Sequence, residues 1–115
     1  MLKTIPEVVS QARASLNTLT AVEASAQCKA KNGLIIDVRE PNEFAQKSAT
    51  GSINIPRGLL EMKMLQMHPD AELAIFIHCA TGVRAVFSGE QLQRVGYQNV
   101  SVITCDLEGV CSAFA

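Results

Sequence analysis

The 115 residues make one domain's worth of chain, enough to bury roughly two-thirds of the surface an unfolded form exposes. Hydrophobic residues are 48% and charged residues 18%, which excludes a disordered or fibrous polypeptide. With 10 Lys and Arg against 11 Asp and Glu the formal charge is -1, so there is no broad basic face for nucleic acid or an anionic membrane, and anion binding has to be local.

Thr4 to Glu7 reads as a capping box, followed by Val8, Val9, Ala12 and Leu16 at helical spacing, so the first helix is expected over residues 5 to 16. Pro6 is tolerated there because first-turn N-H groups lack intrahelical partners. Pro6, Glu7, Ser10, Gln11 and Arg13 also interrupt any secretory core, and no stretch reaches transmembrane length. A cytoplasmic protein is expected. Asn17 to Leu19 breaks the helical pattern, and a second box, Thr20 to Glu23, opens a helix that runs to about Lys31 and closes at Asn32-Gly33.

Leu34 to Val38 and Ala74 to His78 are apolar runs without alternation, as expected of strands covered on both faces. Shorter strand candidates lie around Ile53 and over Asn99 to Ile103. Helical patterns occupy Pro41 to about Gln46, Arg57 to about Met67, and Arg84 to Val95, which Gly96 stops. Strand and helix alternate, so the fold is expected to be α/β with a mostly parallel sheet and right-handed crossovers. In such sheets the ligand sits beyond the carboxyl ends of the strands. Asp37 to Glu40 and Cys79 to Arg84 leave two of those ends.

The segment "HCATGVRA" carries the chemistry. A thiol attacks only as thiolate, and the start of the helix near Arg84 offers unpaired N-H groups and a positive dipole end beside the permanent Arg84 cation. Gly82 lets backbone N-H groups turn inward into an anion nest. A cysteine behind a buried strand is often only a small hydrophobe. Cysteine, glycine and arginine together at a strand-to-helix junction outweigh that reading. Spacing then separates two chemistries. Protein-tyrosine-type phosphatases place five residues between Cys and Arg, whereas here only Ala80, Thr81, Gly82 and Val83 intervene. A ring wide enough to meet three phosphoryl oxygens needs the longer loop, and the shorter one suits a single terminal sulfur. A small cysteine-based phosphatase or arsenate reductase is thereby disfavoured.

The chain resembles the single-domain rhodanese-like sulfurtransferases, the thiosulfate sulfurtransferase family. The likeness rests on "LIIDVREPNEF", "GSINIPRG", "HCATGVRA" and "LQRVGYQNV", in that order over about residues 18 to 114. It implies a rhodanese-like three-layer fold with a parallel five-stranded sheet between helices, in a domain of residues 18-115 preceded by an extra helix in 1-17. It implies that Cys79 takes a sulfane sulfur from a small anionic donor such as thiosulfate, becomes a persulfide, and hands the sulfur to cyanide, a thiol or a protein acceptor. The N-H groups of Ala80, Thr81, Gly82, Val83 and Arg84 would hold the terminal sulfur, and Arg84 would help bind the donor. Arg57, in the "IPRG" turn, is a second substrate-facing candidate, with a solvated first-turn arginine as the alternative. Asp37, Arg39 and Glu40 read as scaffold. His78 reads as structural, because strand alternation points it away from the Cys79 side chain. Thr81 either offers its hydroxyl to substrate or caps the helix.

Cys105 and Cys111 are either sulfur-accepting thiols or, the favoured reading, small packing residues; Cys28 reads as inert. No metal or nucleotide cofactor is implied. Lys47, Ser48 and Ala49 depart from the family's usual Gly-His-Ile, and Gly109-Val110 and Phe114 depart from its usual tail. A non-catalytic binding or sulfur-carrier module is the alternative from another class.

Overall fold

A computed structural model describes all 115 residues. The elements run α1 (Ile5–Arg13), β1 (Asn17–Leu19), α2 (Ala21–Lys31), β2 (Leu34–Asp37), α3 (Pro41–Gln46), β3 (Ile53–Asn54), a 3₁₀ turn (Arg57–Leu59), α4 (Leu60–Met67), β4 (Ile75–His78), α5 (Val83–Val95), β5 (Val100–Ile103) and α6 (Leu107–Ala113). The five strands form one sheet in the order β1-β5-β4-β2-β3, and every neighbouring pair is parallel. This is the α/β fold with a parallel five-stranded sheet that the motifs implied.

Pleat alternation divides the core. Ile36, Val38, Ile75, Ile77, Cys79, Val100 and Val102 pack on one face with Ala12 of α1, Leu60 and Met64 of α4, and Ala85, Val86 and Leu92 of α5. Ile35, Phe76 and Ile103 pack on the other with Ala21, Ala24 and Cys28 of α2 and Val110 of α6. The sheet is thus covered on both sides, which is why β2 and β4 read as unbroken apolar runs. Gly89 lets α5 sit directly on β5, because a Cβ there would lie 2.9 Å from Val102 Cγ2 and 3.2 Å from Leu16 Cδ2.

Local chemistry sets most boundaries. Thr20 Oγ1 accepts from the Glu23 N-H at 3.2 Å while Glu23 Oε1 accepts from the Thr20 N-H at 2.9 Å, so the second capping box closes as expected. Asn32, in the left-handed region at φ 51°, ends α2.

Two expectations need correction, and one element had no expectation attached to it. The first helix stops at Arg13, short of residue 16, and Leu16 is buried as part of the connection that follows it. Asn17–Leu19, taken for a break, is the edge strand β1; Asn17 Nδ2 donates to Ser101 Oγ at 2.8 Å and the Thr104 N-H donates to Leu19 O at 3.0 Å. The tail contains α6, capped by Asp106, whose carboxylate accepts from the Gly109 N-H at 2.9 Å.

Candidate active site

Cys79 is the first residue past β4, and its side chain lies on the face shared by Ile75 and Ile77. The chain then turns through Ala80 and Thr81 to Gly82, whose φ of 100° lies in the region that favours glycine, and enters α5 at Val83. This turn directs the Gly82 N-H at Cys79 Sγ, 3.0 Å away, and the first turn of α5 adds the Ala85 N-H at 3.4 Å. Cys79 is 1% exposed, and its sulfur sits beneath amides aimed at it. Thr81 is exposed and does not cap α5, whose N-cap is Gly82.

The Arg84 guanidinium is held by a residue the motif analysis had assigned no role. Its Nη1 and Nη2 donate to Glu43 Oε1 and Oε2 at 2.7 and 3.2 Å. Glu43 lies in the first turn of α3, and its Oε1 also accepts from the Glu40 N-H at 3.0 Å. The Arg84 fork, helped by that N-H, holds the Glu43 carboxyl down at about 2. Arg84 therefore reaches the rim with its charge already met.

Beneath the rim is a buried ion pair. Arg39 Nη2 donates to Asp37 Oδ2 at 2.7 Å and to the Lys47 carbonyl at 2.6 Å, with side-chain exposures of 4% for Arg39 and 0% for Asp37. Asn54 Nδ2 donates to the Asp37 and Arg39 carbonyls at 3.0 and 2.9 Å, tying β3 to the same corner. Glu40 stays exposed, with its N-H on Glu43. Arg57, also exposed, places its guanidinium 5.0 Å from the Phe87 ring centroid. Arg57, Arg84, Glu40, Gly58, Glu61, Ser88 and Gln91 line an open cleft of about 620 Å³.

His78 faces away from the thiol, beside Asp37 on the opposite pleat, with Nε2 3.8 Å from Asp37 Oδ2. It is fully buried, and neither ring nitrogen has a hydrogen-bond partner. Burial lowers its pKa, against the opposing pull of Asp37. A proton that the folded chain refuses is taken up by the unfolded chain once the pH drops below about 6.5. Stability is therefore expected to be full above that value and to decline as pH falls through the folded-state pKa. Glu43 adds a later loss, beginning near its ordinary value of 4.5 and ending near 2. Urea midpoints at pH 7.5 and 5.5 check the first step: His78→Phe should flatten the difference, and an unchanged slope would assign it to another group.

Of the other thiols, Cys28 is buried on α2 and burial pushes its pKa up. Cys105 Sγ accepts from the Ala21 N-H at 3.2 Å, and Cys105 and Cys111 pack against the core beneath α2 and α6.

Sheet, layers and loop together define a three-layer α/β protein with a cysteine cradled by amides at a strand-to-helix junction. The chain belongs to the rhodanese-like domain family, whose model matches residues 20–113. The thiosulfate sulfurtransferase PspE of Escherichia coli is 31% identical over 65 residues, 56% of this chain and 62% of that protein. The thiosulfate sulfurtransferase of Pseudomonas aeruginosa superposes with a TM-score of 0.74 at 25% identity, over 85% of this chain but 19% of that one. A Rhodopseudomonas palustris protein described as of unknown function and a possible tyrosine phosphatase superposes at 0.81 with 25% identity, covering 98% of this chain and 92% of that one. The matches span 60%, 62% and 61% of the length of the curated relatives. No helix is long and apolar enough to cross a membrane.

Proposed function

We propose that the chain is a sulfurtransferase that moves a sulfane sulfur from a small anionic donor such as thiosulfate to cyanide or a thiol, through a persulfide on Cys79. The Cys79 thiolate attacks the outer sulfur of thiosulfate, the S-S bond of the donor breaks, and sulfite leaves with the electron pair. The acceptor then attacks the outer sulfur of the persulfide and releases the Cys79 thiolate, giving thiocyanate from cyanide or a persulfide from a thiol. A protein thiol is a suitable acceptor by the same step.

One observation carries this reading: the Gly82 and Ala85 N-H groups converge on Cys79 Sγ from within the short loop. Amides fixed in advance stabilise sulfur-centred negative charge without reorganising. Ala80, Thr81, Gly82, Val83 and Arg84 form the ring around the transferred sulfur, with Arg84 steadied by Glu43 at its mouth and Arg57 facing substrate. Asp37, Arg39 and Glu40 support the loop from below and beside it. Residues 1–17 are an addition to a rhodanese-like domain of residues 18–115, in keeping with a family match that begins at residue 20. A reducing cytoplasmic setting suits a free thiol nucleophile.

Incubation with thiosulfate followed by intact-mass measurement tests the proposal, the expected product being the chain plus one sulfur atom. Uptake that persists in Cys79→Ser would refute the site. The possible-phosphatase description of the Rhodopseudomonas palustris structure supplies the competing reading. Turnover of a phosphate ester without sulfur uptake would establish it.

The glycine in the ring offers a finer check. A methyl at Gly82 would meet nothing within 4 Å, so Gly82→Ala acts through the backbone alone. At φ 100° an alanine is strained by about 1–2 kcal/mol, and relief of that strain turns the N-H off the sulfur. The rate of persulfide formation is expected to fall about ten- to a hundredfold, the order lost with one such donor. An unchanged rate would mean that this amide is idle.

A further inference from the structure

We infer that Arg13, on the helix that precedes the family-matched residues 20–113, is a donor-binding residue that holds the oxyanion end of an anionic sulfur donor seated between α1 and the Cys79 loop. The inference rests on the sulfurtransferase reading and assigns a cation to its first half-reaction.

Helix α1 packs along α5 and turns Ile5, Val9 and Arg13, spaced four residues apart, toward Val83 at the end of the loop. An open groove of about 410 Å³ lies against that face. Beside it is a smaller hollow of about 60 Å³, walled by Thr81, Gly82, Val102 and Thr104. Val9, Arg13 and Val83 line both spaces, so Arg13 stands where the groove meets the hollow. Gly82 brings the hollow to the nucleophile, because its N-H donates to Cys79 Sγ at 3.0 Å and nothing lies within 4 Å of where its Cβ would be. Only the loop backbone separates the two.

Charge decides from which flank an anion approaches. On the α3 flank the Arg84 guanidinium is matched by Glu43, and Arg57 shares its cleft with Glu40 and Glu61. On the α1 flank no carboxylate lines either space. Arg13 is exposed and belongs to no ion pair within the chain, so its charge is unspent. The Thr81 hydroxyl, exposed and capping no helix, adds a neutral donor on the hollow's wall. A dianion such as thiosulfate therefore meets a lone cation on one flank and carboxylates on the other.

The chemistry needs nothing further. The Cys79 thiolate attacks the outer sulfur, the donor S-S bond breaks, and sulfite departs with the electron pair, its oxygens still at Arg13. Because Arg13 meets those oxygens before and after attack alike, it lowers the donor concentration required and leaves the chemical barrier almost as it was. As the last-turn arginine of α1 it also complements the helix dipole. That second role acts on stability and not on donor binding, which makes the two separable.

The test is single-turnover loading of Cys79, followed by quenched intact mass at increasing concentrations of thiosulfate or of methanethiosulfonate. The latter gives up its outer sulfur in the same way, with methanesulfinate leaving, but carries one negative charge in place of two. Arg13→Gln is expected to raise the half-saturating thiosulfate concentration about three- to fivefold, the order of one exposed charge pair, with the maximal loading rate unchanged. With methanethiosulfonate the rise should be less than about half as large. Arg13→Lys should restore most of the loss, and added salt should weaken thiosulfate binding more steeply in the parent than in Arg13→Gln. Lys31→Gln removes the same charge beside a hollow lined by Ala74 and Val100, at the amino ends of β4 and β5, and should change nothing. An unchanged half-saturation in Arg13→Gln, an equal loss with both donors, or an equal loss in Lys31→Gln would overturn the inference and leave the sulfurtransferase reading standing. Failure of the parent chain to load from either donor would overturn that reading first, and this one with it.

Discussion

Serine in place of Cys79 is expected to leave the fold standing and to end sulfur uptake. The serine hydroxyl can accept from the Gly82 and Ala85 N-H groups that now point at Sγ, so little of the polar arrangement is lost. Placing a hydroxyl among the apolar neighbours of Cys79 should cost about 1–2 kcal/mol, visible in a melt but not ruinous. Chemistry is another matter, since an oxygen in that place has neither the thiolate's nucleophilicity nor a stable bond to sulfane sulfur. Turnover with thiosulfate and cyanide should fall by at least about a thousandfold, the order seen when a covalent nucleophile is removed. A residual rate within about tenfold of the parent would show that sulfur passes without the covalent step.

The largest effect on stability is expected at Asp37. Asp37→Ala strands the Arg39 guanidinium, 4% exposed, with only the Lys47 carbonyl to satisfy it. Breaking one side of such a pair costs about 3–5 kcal/mol, a large part of the total stability of a small domain. Removing both charges together is far milder, so Asp37→Leu with Arg39→Met should recover most of the loss. Urea unfolding measures both variants. A single-variant loss below about 1 kcal/mol would mean that water reaches the pair and that the corner is held by Asn54 instead.

These two sites differ in how openly the chain announced them. The Cys79 loop was legible because its parts are contiguous: a nucleophile, a glycine in the left-handed region and a helix start within a few residues. The partner of Arg84 was not. Glu43 lies 41 positions away and reads locally as a first-turn acid of α3, a role it also fills. Only the β2–β4 register, which sets α3 beside the start of α5, brings its carboxylate to the guanidinium. The strands β2 and β4 were legible because both of their faces are covered and their composition shows it. Three-residue β1 has neither a run nor an alternation to betray it. Its hydrogen bonds go to β5, and that pairing is a tertiary fact. The tail helix α6 contains glycine, serine and cysteine among few strong formers, so no run or period announces it, and the Asp106 cap fixes its start.

The strand order has a consequence for how the molecule comes into being. β1 leaves the ribosome first among the strands, yet its ladder partner β5 is synthesised last and slots in between β1 and β4. A nascent chain can zip β4, β2 and β3 into a half-sheet well before its amino-terminal edge has anything to join. Closure is then a single late insertion that seals both flanks of β5 at once, and halting translation upstream of Ile103 leaves the opening segment dangling as an unsealed edge open to other chains.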